Sequence, residues 1–205
     1  MNVWPLLASI AIGYLLGNFQ TGLVVGWASR KIDLRKHGSG STGATNALRT
    51  LGLASALITF LGDLAKGMLA SVIGLALAGE AGQLAASLCV VLGHVWPVFF
   101  HFHGGKGVST SVGALILVAP VPVACCMVVS IALMALTRYV SLGNIVGELC
   151  FAVYALVSGL RQGRIAFAVS SALVVAVVVF SHRANIARLI AGKESRLSFK
   201  KAGKA

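Results

Sequence analysis

The chain has 205 residues, of which 58% are hydrophobic and only 11% charged, with a mean hydropathy of +0.91 and a net charge of +12 at pH 7. A soluble domain carries about 25% charged residues, so a soluble enzyme is excluded. With no extended soluble segment, the basic excess reports membrane topology before it reports nucleic acid.

Residues 3–28 carry no charge and are long enough to cross a bilayer. No basic region precedes them and no cleavage site follows, so they read as a retained span. Arg30, Lys31, Arg35 and Lys36 come next and place that end in the cytoplasm. Residues 37–49 form a polar loop rich in glycine, serine and threonine. A second span, 51–79, is interrupted by Asp63 and Lys66; Glu80 marks a turn; a third span, 81–102, holds His94 and Pro97. Residues 107–137 run uncharged for about 31 residues, too long for one upright span, and Pro120 and Pro122 divide them into a short fourth span and a fifth. Arg138 and Tyr139 make a turn, a sixth span covers 142–160 with Glu148 inside it, Arg161 and Arg164 make another turn, and 165–181 is a seventh. Cys89, Cys125, Cys126 and Cys150 lie in apolar runs without metal-ligand spacing and read as small buried hydrophobes.

Seven spans gather Arg30, Lys31, Arg35, Lys36, Arg49, Lys106, Arg138 and the basic tail over 183–205 on one side, leaving Arg161 and Arg164 on the other. Six spans would send the tail outside, against the positive-inside bias. The expected architecture is therefore a single integral membrane domain over 1–205. It is an all-α polytopic protein of seven transmembrane helices, N-terminus outside and C-terminus cytoplasmic.

Two glycine-rich loops face the same compartment in that arrangement. The first reads Gly38-Ser39-Gly40-Ser41-Thr42-Gly43-Ala44-Thr45-Asn46, then Arg49. Small residues let a ligand approach the backbone, and Asn46 and Arg49 share a face if a helix begins there. The second reads His101-Phe102-His103-Gly104-Gly105-Lys106-Gly107-Val108-Ser109-Thr110. Its glycines free backbone N–H groups, Lys106 adds a charge, and a helix from Val108 would add its positive end. Together these suit an anion, most readily a phosphate, although the spacing is not that of a nucleotide P-loop. Taken singly, the first loop also fits a flexible linker, and the second fits a short loop whose lysine marks the cytoplasmic side.

Asp63 and Lys66, at i and i+3 inside a span, are either a packing ion pair or functional. His94 reads as a packing residue or a ligand, and Glu148 has no assigned role. His182, Asn185 and Arg188 recur every three residues on one face of a short surface helix, fitting either a lipid anchor or a site component. There is no nucleophile elbow, no paired carboxylate site and no histidine metal motif. Lysine, arginine, asparagine, serine and backbone N–H suit binding two anions and stabilising developing negative charge.

Residues 38–46, Gly62 to Gly67, Gly93-His94-x-x-Pro97 through Phe102-x-Gly104-Gly105-Lys106-Gly107-x-x-Thr110, and His182-x-x-Asn185-x-x-Arg188-Leu189-x-x-Gly192-x-Glu194 together resemble the bacterial acyl-phosphate:glycerol-3-phosphate acyltransferases. The resemblance covers nearly the whole chain; Ser41, His103 and Ser109 depart from the usual pattern. It implies transfer of an acyl group from acyl phosphate to the 1-hydroxyl of glycerol 3-phosphate. The products are lysophosphatidic acid and phosphate, and this is the first step of phospholipid synthesis. It implies no metal, no cofactor and no nucleic acid, with the two substrates and the bilayer as partners. The location is the bacterial inner membrane with the site facing the cytoplasm, and the default assembly is a monomer. It carries catalytic roles to Ser39, Lys106, His182 and Asn185, and phosphate binding to Ser39, Gly40, Thr45, Asn46, Arg49, Gly104, Gly105, Lys106, Gly107 and Ser141. The competing classes are a small-anion membrane transporter, which should show an internal repeat and a midplane site, and a non-catalytic membrane adaptor.

Overall fold

The computed structural model describes residues 3–197, and among these every regular element is helical. The longer elements are uncharged or nearly so, and a helix satisfies its own backbone in a medium that offers no water. The first expected span is broken: α1 (Trp4–Asn18) and α2 (Thr21–Arg30) meet at Phe19–Gln20. The break leaves carbonyls of α1 free, and side chains take them. Gln20 Nε2 donates to Gly17 O at 3.2 Å, and Lys66 Nζ donates to Phe19 O at 2.6 Å. Neither Phe19 nor Gln20 is a helix breaker, so the local sequence carried no sign of this.

A short helix, α3 (Ala44–Leu51), precedes α4 (Leu53–Val95), which is in fact a helical hairpin. Ala78 (φ −141°, ψ 26°) and Gly79 (φ +61°, ψ −150°) leave helical geometry, and a positive φ there suits glycine. The halves fold back on each other: Gln83 Nε2 donates to Ser71 Oγ at 3.0 Å, and Lys66 Nζ lies 2.7 Å from His94 Nδ1. Gly74 and Gly82 bring the two backbones together where a Cβ on either would overlap the other's carbonyl oxygen. This matches the turn expected at Glu80. The second half, however, stops at Val95 rather than 102; Trp96 leaves helical geometry (φ −124°, ψ 69°), Pro97 is extended, and a single 3-10 turn follows at Val98–Phe100.

α5 (Val108–Ile116), α6 (Pro120–Thr137), α7 (Val140–Arg161) and α8 (Ile165–Ser181) follow, and α8 bends by 59° into α9 (Arg183–Ile190). Nine residues give α5 a length of about 13 Å, under half of a ~30 Å hydrocarbon core. It is packed tightly into the hairpin, with Gly113 against the backbone of Leu64 and Gly67 against that of Thr110. Among the described residues, four stretches are long and apolar enough to cross a membrane: Trp4–Arg30, Leu53–Phe100, Pro120–Thr137 and Val140–Arg161. The bent pair α8–α9 makes a fifth. The common core joins α4, α5, α7 and α8 through Val90, Val91, Ala114, Phe151, Phe167 and Val178. α6 buries only Val123 and presents apolar residues outward, including Val128, Ile131 and Leu136. The cysteines are free, and Cys125 and Cys150 are exposed rather than buried, on helices whose outer faces are apolar. Of the basic tail expected over 183–205, residues 198–205 lie outside the described residues.

Candidate active site

The loop between α2 and α3 is built around one amide. Asn46 is buried, at 1% exposure. Its Nδ2 donates to the carbonyls of Leu34 (3.1 Å), His37 (3.0 Å) and Ser41 (2.8 Å), and its Oδ1 accepts from Ser39 N at 2.9 Å. Its hydrogen-bonding groups are thus occupied in shaping the loop. Gly38 and Gly40 take φ of +59° and +74°, which lets the chain reverse tightly enough to do this. Asp33 starts the preceding turn by accepting from Arg35 N at 2.9 Å and pairing with the Arg35 guanidinium at 2.7 Å; these bonds hold its carboxyl below the usual range. Arg35 Nη1 also donates to Phe100 O at 3.2 Å, tying this loop to the second. The turn delivers Ser39, Ser41 and the N-terminal end of α3 to a cavity, with Arg49 one turn further on.

The second loop hangs from the end of α4. Gly105 N donates to His94 O at 3.1 Å, and Gly104 lies so close to His94 and Pro97 that a Cβ would overlap the His94 carbonyl. Gly107 (φ +86°) then starts α5. Between them Lys106 projects inward, its own carbonyl held by Ser181 Oγ at 2.9 Å. Lys106 Nζ donates to Asn185 Oδ1 at 2.5 Å, and Asn185 Nδ2 donates to Glu194 Oε1 at 2.6 Å. The same carboxylate accepts from Ser141 Oγ at 2.8 Å and Arg188 Nε at 2.7 Å. Arg49 Nη2 reaches the carbonyl of the next residue, Ser195, at 3.5 Å. Glu194 therefore organises the cradle. Burial opposes its ionisation, but the hydrogen bonds from Asn185, Arg188 and Ser141 outweigh that and hold it below the usual carboxylate range.

Lys106 loses solvent, and burial pushes its ammonium down to about 8; Glu194 counters this, while the charges of Arg188 and Arg49 add to it. His182 is fully buried. Its Nδ1 lies 2.8 Å from Val178 O, a pure acceptor, so Nδ1 carries the proton and Nε2 is a bare lone pair without a partner among the described residues. Burial, then the nearby Lys106 charge, lower its pKa to about 4 and keep it neutral.

One cavity of about 320 Å³ collects these groups. Of the residues singled out from sequence, Ser39, Thr45, Asn46, Arg49, Lys106, Gly107, Ser141, His182 and Asn185 line it. Gly40, Gly104 and Gly105 are not among its lining residues; they shape the loops that carry the others. The cavity continues between α5, α6 and α7 into an apolar chamber lined by Val112, Leu115, Met127, Ile131, Met134 and Phe151. Glu148 sits in that chamber, its Oε1 accepting from Ser111 Oγ at 2.5 Å. Sequence reasoning gave Glu194 no role and left Asp63 and His94 open between packing and function; all three line the cavity. For Glu194 the available sign was a single acid in an otherwise basic tail; for Asp63 it was charge at membrane depth.

The profile of the family described as glycerol-3-phosphate acyltransferase matches residues 7–192. The chain is 41% identical over 201 residues to the glycerol-3-phosphate acyltransferase of Desulforudis audaxviator, covering 98% of this chain and 100% of that one. It is similar to a crystal structure of PlsY (YgiH), an integral membrane glycerol 3-phosphate acyltransferase, in its glycerol 3-phosphate form. The TM-score is 0.86 at 33% identity, over 94% of this chain and 96% of that one. A second crystal structure of PlsY, in the lysophosphatidic acid form, gives a TM-score of 0.84 at 32% identity, over 94% and 95% of the two chains.

Proposed function

The chain belongs to the glycerol-3-phosphate acyltransferase family and is a membrane-embedded acyltransferase of phospholipid synthesis, and from that premise we propose that its donor is an acyl phosphate and its acceptor the 1-hydroxyl of glycerol 3-phosphate. The products are lysophosphatidic acid and inorganic phosphate. The observation that carries this reading is a single cavity joining a cationic cradle to an apolar chamber. Both substrates bring a phosphate, and one brings a lipid chain.

In this reading Lys106, Arg49 and the N–H groups of Gly107 and α3 hold the two phosphates. Ser39, Thr45 and Ser141 supply hydroxyl hydrogen bonds; Asn46 keeps the first loop in shape, and Gly40, Gly104 and Gly105 let the loops close on the ligands. Asn185, fixed by Glu194, orients Lys106 and the acceptor. The acyl chain lies in the chamber between α5, α6 and α7. His182 Nε2 accepts the hydrogen bond of the 1-hydroxyl and aims its oxygen at the acyl carbon. That oxygen bonds to the carbon, the carbon–oxygen bond to phosphate breaks with its electron pair onto the phosphate, and the hydroxyl proton passes through His182 Nε2 to the departing phosphate. The donor is already activated, so no covalent enzyme nucleophile is needed.

The chain crosses the membrane seven times as one domain, with α1 and α2 sharing a span, the α4 hairpin giving two, and α5 a short fourth. Its N-terminus is outside the bacterial inner membrane, and its basic loops, cradle and tail are in the cytoplasm, in line with the positive-inside bias. The purified protein, working as a monomer, releases phosphate from acyl phosphate only when glycerol 3-phosphate is present. Lys106→Ala and Arg49→Ala each lower that rate by about 10²-fold or more. Turnover with an acyl thioester but none with acyl phosphate would overturn the donor assignment.

A further inference from the structure

Asp63, Lys66 and His94 form a second buried polar group, drawn from the two halves of the α4 hairpin and exposed by only 1%, 6% and 2%. Asp63 and Lys66 pair at 2.9 Å, and Thr21 Oγ1 donates to the same carboxylate oxygen at 3.1 Å. A carboxylate at this depth left beside a neutral amine would be uncompensated, so Lys66 is an ammonium. An ammonium has three donors and no acceptor. Lys66 shares them among Asp63, His94 Nδ1 at 2.7 Å and two carbonyls at the α1–α2 break, Phe19 O at 2.6 Å and Gly17 O at 3.4 Å. His94 Nδ1 must then accept, which puts the ring proton on Nε2.

That Nε2–H has no partner among the described residues, and His94 lines the cavity. The ring lies directly beneath the second loop: a Cβ on Gly105 would overlap Nε2, while Gly105 N is held by His94 O at 3.1 Å. The free donor is therefore placed beside the residue preceding Lys106. His182 presents the opposite tautomer, with Nδ1 tied to Val178 O and Nε2 bare. One cavity thus holds two neutral imidazoles, one that accepts a hydrogen bond and one that donates.

We propose that His94 is a further catalytic residue: its Nε2–H donates a hydrogen bond to the oxygen of the departing phosphate, and the Asp63–Lys66 pair is the lock that fixes its tautomer. This rests on the acyl-phosphate reading above. As the acyl carbon–oxygen bond breaks, its electron pair moves onto the phosphate oxygen, and a donor already in place stabilises that charge without transferring its own proton. Lys66 and Asp63 act through His94 and are positioning residues. A packing ion pair alone would not require an unpartnered N–H beneath the glycine loop, on a residue that lines the cavity.

Two substitutions separate the donor from the packing. In His94→Asn the side-chain oxygen still accepts from Lys66 where Nδ1 stood, but nothing donates where Nε2 stood. In His94→Gln the amide carries an N–H out to the Nε2 position. With acyl phosphate and glycerol 3-phosphate, His94→Asn is expected to lower kcat by about 10²-fold with the KM for glycerol 3-phosphate changed by less than about threefold; His94→Gln is expected to recover about tenfold of that loss. Nitrogen-15 imidazole spectra of the wild type, with the His94 signals identified by their absence in His94→Asn, are expected to show the neutral Nε2-protonated ring. Wild-type kcat in His94→Asn, His94→Gln no better than His94→Asn, or an Nδ1-protonated ring would each overturn this inference alone. A wild-type enzyme inactive with acyl phosphate would overturn it together with the donor assignment.

Discussion

The same loss of solvent lowers the pKa of both Lys106 and His182, with opposite consequences for the chemistry. Burial lowers Lys106 to about 8 and His182 to about 4. The proposed reaction needs the lysine charged and the imidazole neutral, so the competent form of the free enzyme is populated between those values. It is lost below about 4 as His182 takes a proton and above about 8 as Lys106 gives one up. The profile of kcat/KM against pH reports free-enzyme groups, so its alkaline limb should fall near 8. An arginine stays charged throughout the accessible range, so Lys106→Arg, while slower, should lose that limb; an unmoved limb would assign it to another group. Glu194 gives a second prediction. Glu194→Ala removes the acceptor shared by Ser141, Asn185 and Arg188, so the KM for glycerol 3-phosphate should rise by about tenfold or more, consistent with loss of a charge-assisted network. Arg49, Lys106 and His182 were readable from sequence because charged and imidazole groups are scarce in this chain and fell in glycine loops or at span ends. The hub role of Glu194 was not, because its partners lie as far off as Ser141, 53 positions away, and only tertiary structure joins them.

The elements differ in how much of their shape their own residues specify. The turn inside α4 was visible in sequence because Gly79 permits a positive φ and Glu80 is a charge that resists burial. The break between α1 and α2 was not, because it is held by a distant stretch: Lys66 donates to Phe19 O and Gln20 Nε2 donates to His94 O. The end of the third expected span was misplaced for the same reason: Gly105 binds His94 O, and Tyr14 donates from α1 to Trp96 O at 2.8 Å, so the helix stops at Val95. Two glycine substitutions set local strain against close packing. Nothing lies within 4 Å of a Cβ built at Gly79, so Gly79→Ala costs only backbone strain, about 1–3 kcal/mol for a φ of +61° and ψ of −150° that belong to glycine. A modest drop in Tm with unchanged kcat should follow. At Gly113 a Cβ would meet the Leu64 backbone, and overpacking of this kind costs about 1–3 kcal/mol. Gly113→Ala must push α5 away from α4, and Lys106 sits at the head of α5. Its Tm and its kcat should therefore fall together, and full activity in this variant would show that the loop is not held by that helix.

Across the whole molecule, apart from the buried Asp63–Lys66–His94 group and the Glu148–Ser111 pair, polar contacts made by charged groups sort to two ends. Lys106 with Asn185, Ser141 with Glu194, and Arg49 with Ser195 join the segments that carry most of the basic residues. The α4 turn meets the α7–α8 turn through Glu80 and Arg164 at 2.5 Å. A small-anion transporter would place its anion site at the midplane between repeats; here the cationic side chains come from loops and helix ends. The proposed orientation follows from this division, since the basic end belongs in the cytoplasm. It can be read by thiol labelling. With the four native cysteines replaced, Gln162→Cys in the α7–α8 turn should react with a membrane-impermeant reagent in intact cells. Lys193→Cys, beside Glu194, should react only after the membrane is opened. Both positions are exposed, so failure to react reports the membrane rather than burial. The reverse pattern would overturn the proposed orientation and put the positive charges on the wrong side of the bilayer. Gln162→Cys reactive and Lys193→Cys shielded in intact cells is the outcome that the proposed orientation expects, because most of the basic side chains lie at the Lys193 end.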